Sequence, residues 1–142
     1  MGCNSHLFIE INPWKDSPKY WTPYALDLRE SRDYGLYGFL AGVRGEGPAV
    51  AEPRGLPEDA SEEVVAVFKQ WGSDFHTPTW LTPSEFRRAV RGIEEARDKW
   101  SAEKQEVVEV IAFEWRMVRM ILQALAYEYG DDRVRLIVAF DN

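Results

Sequence analysis

The chain contains one cysteine and two histidines, which are the side chains most often used as nucleophiles, general bases and metal ligands. Cys3 and His6 lie near the amino terminus, and His76 follows Asp74 closely in the middle of the chain. The four side chains offer a thiolate, two imidazoles and a carboxylate, a set that zinc accepts. However, neither the Cys3–His6 pair nor the Asp74–His76 pair has the spacing of a standard zinc motif. The alternative chemistry is a nucleophilic pair of Cys3 with His76, which requires contact and a lowered thiol pKa.

A structural interpretation of the same residues stays open at this point. Histidines often lie in a core or at a surface with their hydrogen bonds satisfied, and a lone cysteine often behaves as a small buried apolar side chain. The functional interpretation therefore depends on whether the fold brings Cys3, His6 and His76 together.

Both ends of the chain are predicted to form strands. In residues 6–11 and 133–140 apolar side chains alternate along the sequence, which is the period of a half-buried strand. A further extended segment is predicted over residues 20–28, with an edge position indicated by its proline.

Antiparallel pairing of the two terminal strands would collect polar side chains at one end of the sheet. Cys3 and His6 lie at the entry to the first strand, and Asp141 lies at the exit from the last. The segment 74–80 is predicted to be a polar loop between helices, and it would carry His76 to the same end. One shared site is therefore the favoured hypothesis.

The middle of the chain is predicted to be helical. Asp33 begins a short helix, and Ser61 begins another that ends at Gly72. The segment 82–85 has the threonine, proline and glutamate of a capping box. A further helix is predicted over residues 101–129, either capped by Ser101 or continuous with the preceding helix through Trp100 and Ser101 as one long bent helix. It is expected to lie deep in the protein because it carries two apolar stripes. The stripes are Val108, Ile111, Trp115, Val118, Leu122 and Leu125, and Val110, Phe113, Met117, Met120 and Ala124.

These elements predict an α+β fold in one domain, residues 1–142. A small, mainly antiparallel sheet pairs the N- and C-terminal strands and packs against a central helical region with one long buried helix. The stretch 44–60 is rich in glycine and proline and is predicted to be irregular.

Composition excludes several classes of function. A net charge of −7 and a pI near 4.9 give no basic field for a phosphate backbone, so direct nucleic-acid binding is not expected. The most apolar stretch contains too many polar residues for a membrane span, and no secretion signal is recognised, so we expect a cytoplasmic protein.

The arginines and aromatic residues of the loops suggest a second kind of site. Arg44 and Arg54 lie beside glycines and are either solvated or placed to grip a carboxylate or phosphate. Tryptophans in or next to loops, Trp80 among them, either close a small core or anchor a flat ligand or a partner protein.

Five segments occur in an order that points to a family. They are MGC-x-x-H, DYGLYGFLAGVR, EPRGLP, W-x-x-D-x-H-x-x-x-WLT and RLIVAFDN. Together they resemble a family of small proteins encoded by bacteriophages and by bacteria with phage-derived genes, which typically begin Met-Gly-Cys-Asp-Ile-His and end in a Phe-Asp-Asn-like tripeptide. Asn4 stands where the family typically has aspartate, which weighs against a metal or general-base role there. The resemblance assigns functional importance to Cys3, His6, Arg44, Arg54, Asp74, His76, Trp80, Asp141 and Asn142.

The resemblance implies an accessory or host-takeover protein in the host cytoplasm. We expect it to bind a host protein complex, such as RNA polymerase or a defence component, without catalysis or a cofactor. The aromatic loops and the helix face around Arg87, Arg88 and Arg91 would form the binding surface. The alternatives are a small, possibly metal-assisted hydrolase or transferase, and a protein that sequesters a nucleotide signal.

Overall fold

The computed structural model describes residues 2–14, 20–45, 47–106 and 111–142. Within them, four strands form one antiparallel sheet in the order β2-β1-β4-β3. The strands are β1 (Asn4–Ile11), β2 (Thr22–Leu28), β3 (His76–Leu81) and β4 (Val134–Asp141). The predicted α+β fold is confirmed, and the two terminal strands lie side by side at the centre of the sheet.

The pairing of β1 with β4 is regular along its whole length, from Asn4 opposite Asp141 to Ile11 opposite Val134. Alternate residues point to opposite faces, and residues directly opposite each other share a face. The sheet therefore has two buried faces with separate side-chain sets, and each is covered by helices.

The helices within the described residues divide unequally between these faces. The larger core includes Leu7 and Ile9 of β1 and is covered by α1, α3 and α4. The smaller core contains Phe8 and Ile137 and is covered by α2, which contributes the buried Val64. The helices are α1 (Tyr34–Ala41), α2 (Glu62–Trp71), α3 (Pro83–Lys104) and α4 (Phe113–Tyr129).

Three helices begin where the sequence predicts. The side chains of Asp33 and Ser61 accept hydrogen bonds from the first turns of α1 and α2. Thr82 and Glu85 form both bonds of the capping box at the start of α3, with Pro83 in the first turn. Local hydrogen bonding makes these positions recognisable in the sequence, because each cap satisfies backbone groups that the helix leaves free.

The prediction of a loop over residues 74–80 was wrong, because most of this segment is the edge strand β3. Pro78 is tolerated there since an edge strand has one side without ladder partners. The register shifts between His76 and Thr79, and Thr77 has φ of +49°. This bulge disrupts the alternation that normally identifies a strand.

The helix predicted over residues 101–129 also differs from the structure. The helix is continuous through Trp100 and Ser101, as in the second alternative, but α3 ends at Lys104 and α4 begins at Phe113. The first apolar stripe packs into the core through Trp115, Val118 and Leu122. The second stripe is exposed rather than buried, which contradicts the prediction of a deeply placed helix. Val108 and Val110 lie outside the described residues.

Among the described residues, no helix has the length and apolar character needed to cross a bilayer.

Candidate functional site

A buried histidine lies where three strands meet at one end of the sheet. His6 of β1 is 1 % exposed. Its Nδ1 lies 2.6 Å from Asp27 Oδ1 of β2, and its Nε2 bonds Asp141 Oδ2 of β4. The pairing of the terminal strands thus places Asp141 against His6. We call His6, Asp27, Asp141, Trp71 and Phe75 the His6 cluster.

Asp27 reaches the histidine because β2 is irregular at this point. Asp27 has φ of +52°, and the register of β2 against β1 shifts between Leu7 and Ile9. Aspartate tolerates the left-handed region better than most residues. Its second carboxylate oxygen accepts a hydrogen bond from Arg29 Nη2 at 2.9 Å, so both oxygens are used.

Asp141 is fixed by a second set of polar contacts. Its Oδ1 accepts a hydrogen bond of 3.2 Å from Asn4 Nδ2 on the facing strand. Asn4 Oδ1 in turn accepts from Arg32 Nε at 2.8 Å. An amide at position 4 can donate to Asp141, which an ionised carboxylate could not do.

Two aromatic rings cover the histidine. The centroids of Trp71 and Phe75 lie 4.6 and 4.7 Å from that of His6, and the two rings stack on each other. The Arg29 guanidinium lies 5.1 Å from the Trp71 ring centroid on the outside. The residues that close α2 and lead into β3 therefore shield the imidazole from water.

The electrostatics of the cluster favour ionised carboxylates. Partial burial raises the pKa of Asp27, but hydrogen bonds from Arg29 and His6 outweigh it and leave that pKa below its usual value. Partial burial also raises the pKa of Asp141, but hydrogen bonds with His6 and Asn4 outweigh it and leave that pKa below its usual value.

This geometry suits a structural connection better than proton transfer. A general base needs a ring nitrogen within reach of a substrate, and a metal ligand needs a free lone pair. Both ring nitrogens of His6 instead face carboxylates. The cluster ties together the ends of β1, β2 and β4.

The structure does not bring Cys3 to His6. Cys3 is fully buried in the larger core, whereas His6 lies on the α2 side of the sheet. The Cys3 backbone N–H donates to the Tyr34 hydroxyl at 3.0 Å. Burial raises the pKa of the thiol, although Arg44 acts in the opposite direction. A raised pKa disfavours the thiolate that a nucleophile requires.

His76 lies at the same end of the sheet but on the Cys3 side. It is opposite Phe140 in the β3–β4 ladder, and the two rings stack at 6.0 Å. Its Nε2 lies 3.2 Å from Asn142 Oδ1, and its Nδ1 lies 3.0 Å from Thr77 Oγ1. Among the described residues, no hydrogen bond joins Cys3 to either histidine.

Arg54 and Trp80 form a separate group at the start of α3. The Arg54 guanidinium donates to both carboxylate oxygens of Glu85, at 2.7 and 2.5 Å, and lies 4.5 Å from the Trp80 ring centroid. The hydrogen bonds from Arg54 lower the pKa of Glu85 to about 2. This arginine holds the irregular segment against β3 and the capping box.

The remaining two predicted site residues lie apart from these groups. Asp74 is exposed in the turn before β3. Arg44 follows α1, lies 5.7 Å from the Tyr34 ring centroid, and lines a cavity of about 490 Å³ with Phe39. Across residues 2–14, 20–45, 47–106 and 111–142, no group of three or more His, Cys, Asp or Glu side chains is arranged to hold a metal ion.

Sequence reasoning missed a buried ion pair between the central strands. Glu10 and Arg135 lie directly opposite each other in the β1–β4 ladder, and Arg135 Nε donates to Glu10 Oε1 at 2.8 Å. The Ser61 backbone N–H donates to the other oxygen at 2.7 Å, and the guanidinium lies 3.8 Å from the Trp21 ring centroid. Opposite charges at paired positions of two predicted neighbouring strands were the available signal.

Asp27 was missed as well, and no comparable signal existed. Only the bulge in β2 turns its carboxylate towards His6.

Comparisons of the chain with protein-family models, curated proteins and solved structures give no significant match.

Proposed function

We propose that the chain acts by binding another protein and that it performs no catalysis. The observation that carries the proposal is a set of exposed apolar side chains within the edge strand β2 and in the residues before it. Four large side chains are 65 %, 64 %, 55 % and 43 % exposed there, and we call them the β2 surface: Trp14, Tyr20, Tyr24 and Leu26. Clusters of exposed aromatic side chains are typical of the centres of protein interfaces.

The position of this surface supports recognition of a protein. Because β2 is at the edge of the sheet, one side of its backbone has no strand partner among the described residues, and an extended segment of another protein could pair with it. Tyr24 and Leu26 alternate along the strand and so project to the same side. Backbone pairing would supply affinity, and these side chains would supply specificity.

The arrangement of the predicted site residues favours binding over catalysis. Both nitrogens of His6 are engaged with carboxylates, and the Cys3 thiol is buried with a raised pKa. A Cys–His mechanism needs the two groups in contact and the thiol partly ionised.

The resemblance to small phage-encoded proteins favours a host protein as the target. A component of a host complex such as RNA polymerase, or of a defence system, fits this proposal, and the protein would act in the host cytoplasm. The exposed arginines of α3, Arg87, Arg88 and Arg91, follow the opposite edge strand β3 and would form a separate contact with an acidic region of the partner.

Affinity capture with matched variants tests the proposal. The wild-type protein is immobilised and exposed to host lysate, beside a Trp14→Ala/Tyr24→Asp double variant and a Lys99→Ala control on the exposed side of α3. We expect one host complex to be retained stoichiometrically by wild type and control and to be lost with the double variant. Equal retention by all three proteins, or no stoichiometric partner, would contradict the proposal.

A further inference from the structure

Helix α4 has a second apolar side that is exposed and does not pack into the larger core of the protein. Phe113, Met117, Met120 and Tyr127 are 62 %, 37 %, 58 % and 92 % exposed, and Ala124 between them is exposed as well. We call these five residues the α4 seam. They lie on the solvent side of the helix, whereas Trp115, Val118 and Leu122 are buried in the larger core.

The spacing of the seam is that of a helix–helix interface. Its members are separated by four, three, four and three positions, which is the heptad pattern of paired helices. With 3.6 residues per turn, the seam is centred about 170° around the helix from the core-facing residues and extends about 21 Å along it. A second helix could therefore pack on α4 with its own domain on the far side.

The charges beside the seam select what covers it. Glu114 and Glu128 lie along one edge, and Arg116 and Gln123 lie along the other. In a parallel pair of identical helices, the glutamate edge of each copy lies beside the arginine and glutamine edge of the other. In an antiparallel pair, Glu114 would face Glu128 of the second copy twice, which places like charges together.

We propose that two copies of this chain associate through parallel α4 helices packed along the α4 seam. In this arrangement each seam residue meets its counterpart in the second copy. The two methionines fill the middle of the interface, where their flexible side chains adapt to one another. Each Tyr127 hydroxyl remains at the edge, in contact with water.

This dimer does not rest on the proposed host-binding function, because the β2 surface belongs to a different element. The net charge of −7 on each copy opposes association over long distances. Salt screens that repulsion more effectively than it weakens apolar packing. Dimerisation is therefore expected to strengthen as the salt concentration rises from about 0.01 M to 0.15 M.

Mass measurement in solution tests the association. We expect light scattering and sedimentation of the full chain to give twice the 16.4 kDa chain mass at high protein concentration. Met120→Glu would place two carboxylates inside the interface and should give the single-chain mass, with unchanged far-UV circular dichroism because Met120 is exposed. Ala66→Glu, an equivalent change on the exposed side of α2, should leave the dimer intact. A wild-type protein that stays monomeric, or a dimer unaffected by Met120→Glu, would overturn the proposal.

Disulfide trapping tests the parallel orientation. Parallel helices bring position 127 of the two copies within disulfide distance, so Tyr127→Cys should form a covalent dimer on oxidation with diamide. Phe113→Cys should do the same. In an antiparallel dimer neither variant would link to itself, and only a mixture of the two would cross-link. Cross-linking confined to that mixture would overturn the parallel arrangement.

Discussion

His6 Nδ1 and Asp27 Oδ1 are 2.6 Å apart, in a hydrogen bond that crosses from β1 to a bulge in β2. On its other side the same imidazole bonds Asp141 of β4. One buried side chain thus connects three strands, and its removal would leave two carboxylates facing each other under a cover of aromatic rings. The stability of this end of the sheet should depend on His6 more than on any catalytic property of the ring.

We expect His6→Ala to lower the free energy of unfolding by about 2–4 kcal/mol, because it removes two charge-assisted bonds and opens a space beneath Trp71. His76→Ala is the matched control, since that histidine is only partly buried and should cost less than about 1 kcal/mol. Urea denaturation of both variants measures the difference. Equal losses would show that His6 does not hold the strands together.

Acid should weaken the fold through Asp27 and Asp141. The folded-state pKa of each lies below the unfolded-state value, so their contribution is complete above the unfolded value, near pH 4. It is lost as the pH falls through the lowered folded values. Thermal unfolding from pH 2 to pH 6 should show this decline, and Asp27→Asn should flatten it. An unchanged slope in Asp27→Asn would contradict the assignment.

Arg54→Ala should raise the pKa of Glu85 from about 2 towards its ordinary value. The loss of stability near neutral pH should be only about 1 kcal/mol, because the Arg54 side chain is 30 % exposed and solvent screens the pair. Carboxyl titration by NMR follows Glu85 directly. Arg88→Ala is the control, since Arg88 lies 3.9 Å from the same carboxylate and is more exposed. A similar pKa in all three proteins would exclude Arg54 as the cause.

The Cys3 thiol should resist modification in the folded protein. It is fully buried and its pKa is raised, so few thiolates exist and none faces solvent. Reaction with a thiol reagent such as DTNB should be at least about 100-fold slower in buffer than in denaturant. Tyr127→Cys, whose added thiol is exposed, provides a fast-reacting reference. Rapid reaction of the wild-type folded protein would indicate that Cys3 is accessible.

The parts of the fold that local chemistry determines were predictable from the sequence. The alternation in β1 and β4 and the caps at Asp33, Ser61 and Thr82 each follow from a few neighbouring residues. β3 was missed because its bulge removes the alternation, and its proline is acceptable only at a sheet edge. Whether an apolar stripe of a helix is buried depends on how the rest of the fold packs around it. The exposure of Met117 and Met120 could therefore not be predicted from the neighbouring residues in the sequence.

The candidate site was predictable only in part. Pairing of the terminal strands was sufficient to place Asp141 against His6. The separation of Cys3 from His6 could also have been predicted from the sequence, because residues an odd number of positions apart in an extended chain face opposite sides of a sheet. The role of Asp27 depends on its left-handed backbone conformation within a strand, and no simple sequence pattern predicts that conformation.

The central ladder joins residues that are far apart in the chain, since His6 and Asp141 are separated by 135 positions. During synthesis, β1 therefore leaves the ribosome long before its neighbour β4 exists. The helices can form early from local contacts, but the middle of the sheet can close only after residue 141 has emerged. Until then the backbone edge of β1 that β4 will cover stays unpaired even when β2 has paired with the other edge, so the nascent chain is most vulnerable to aggregation and proteolysis at β1.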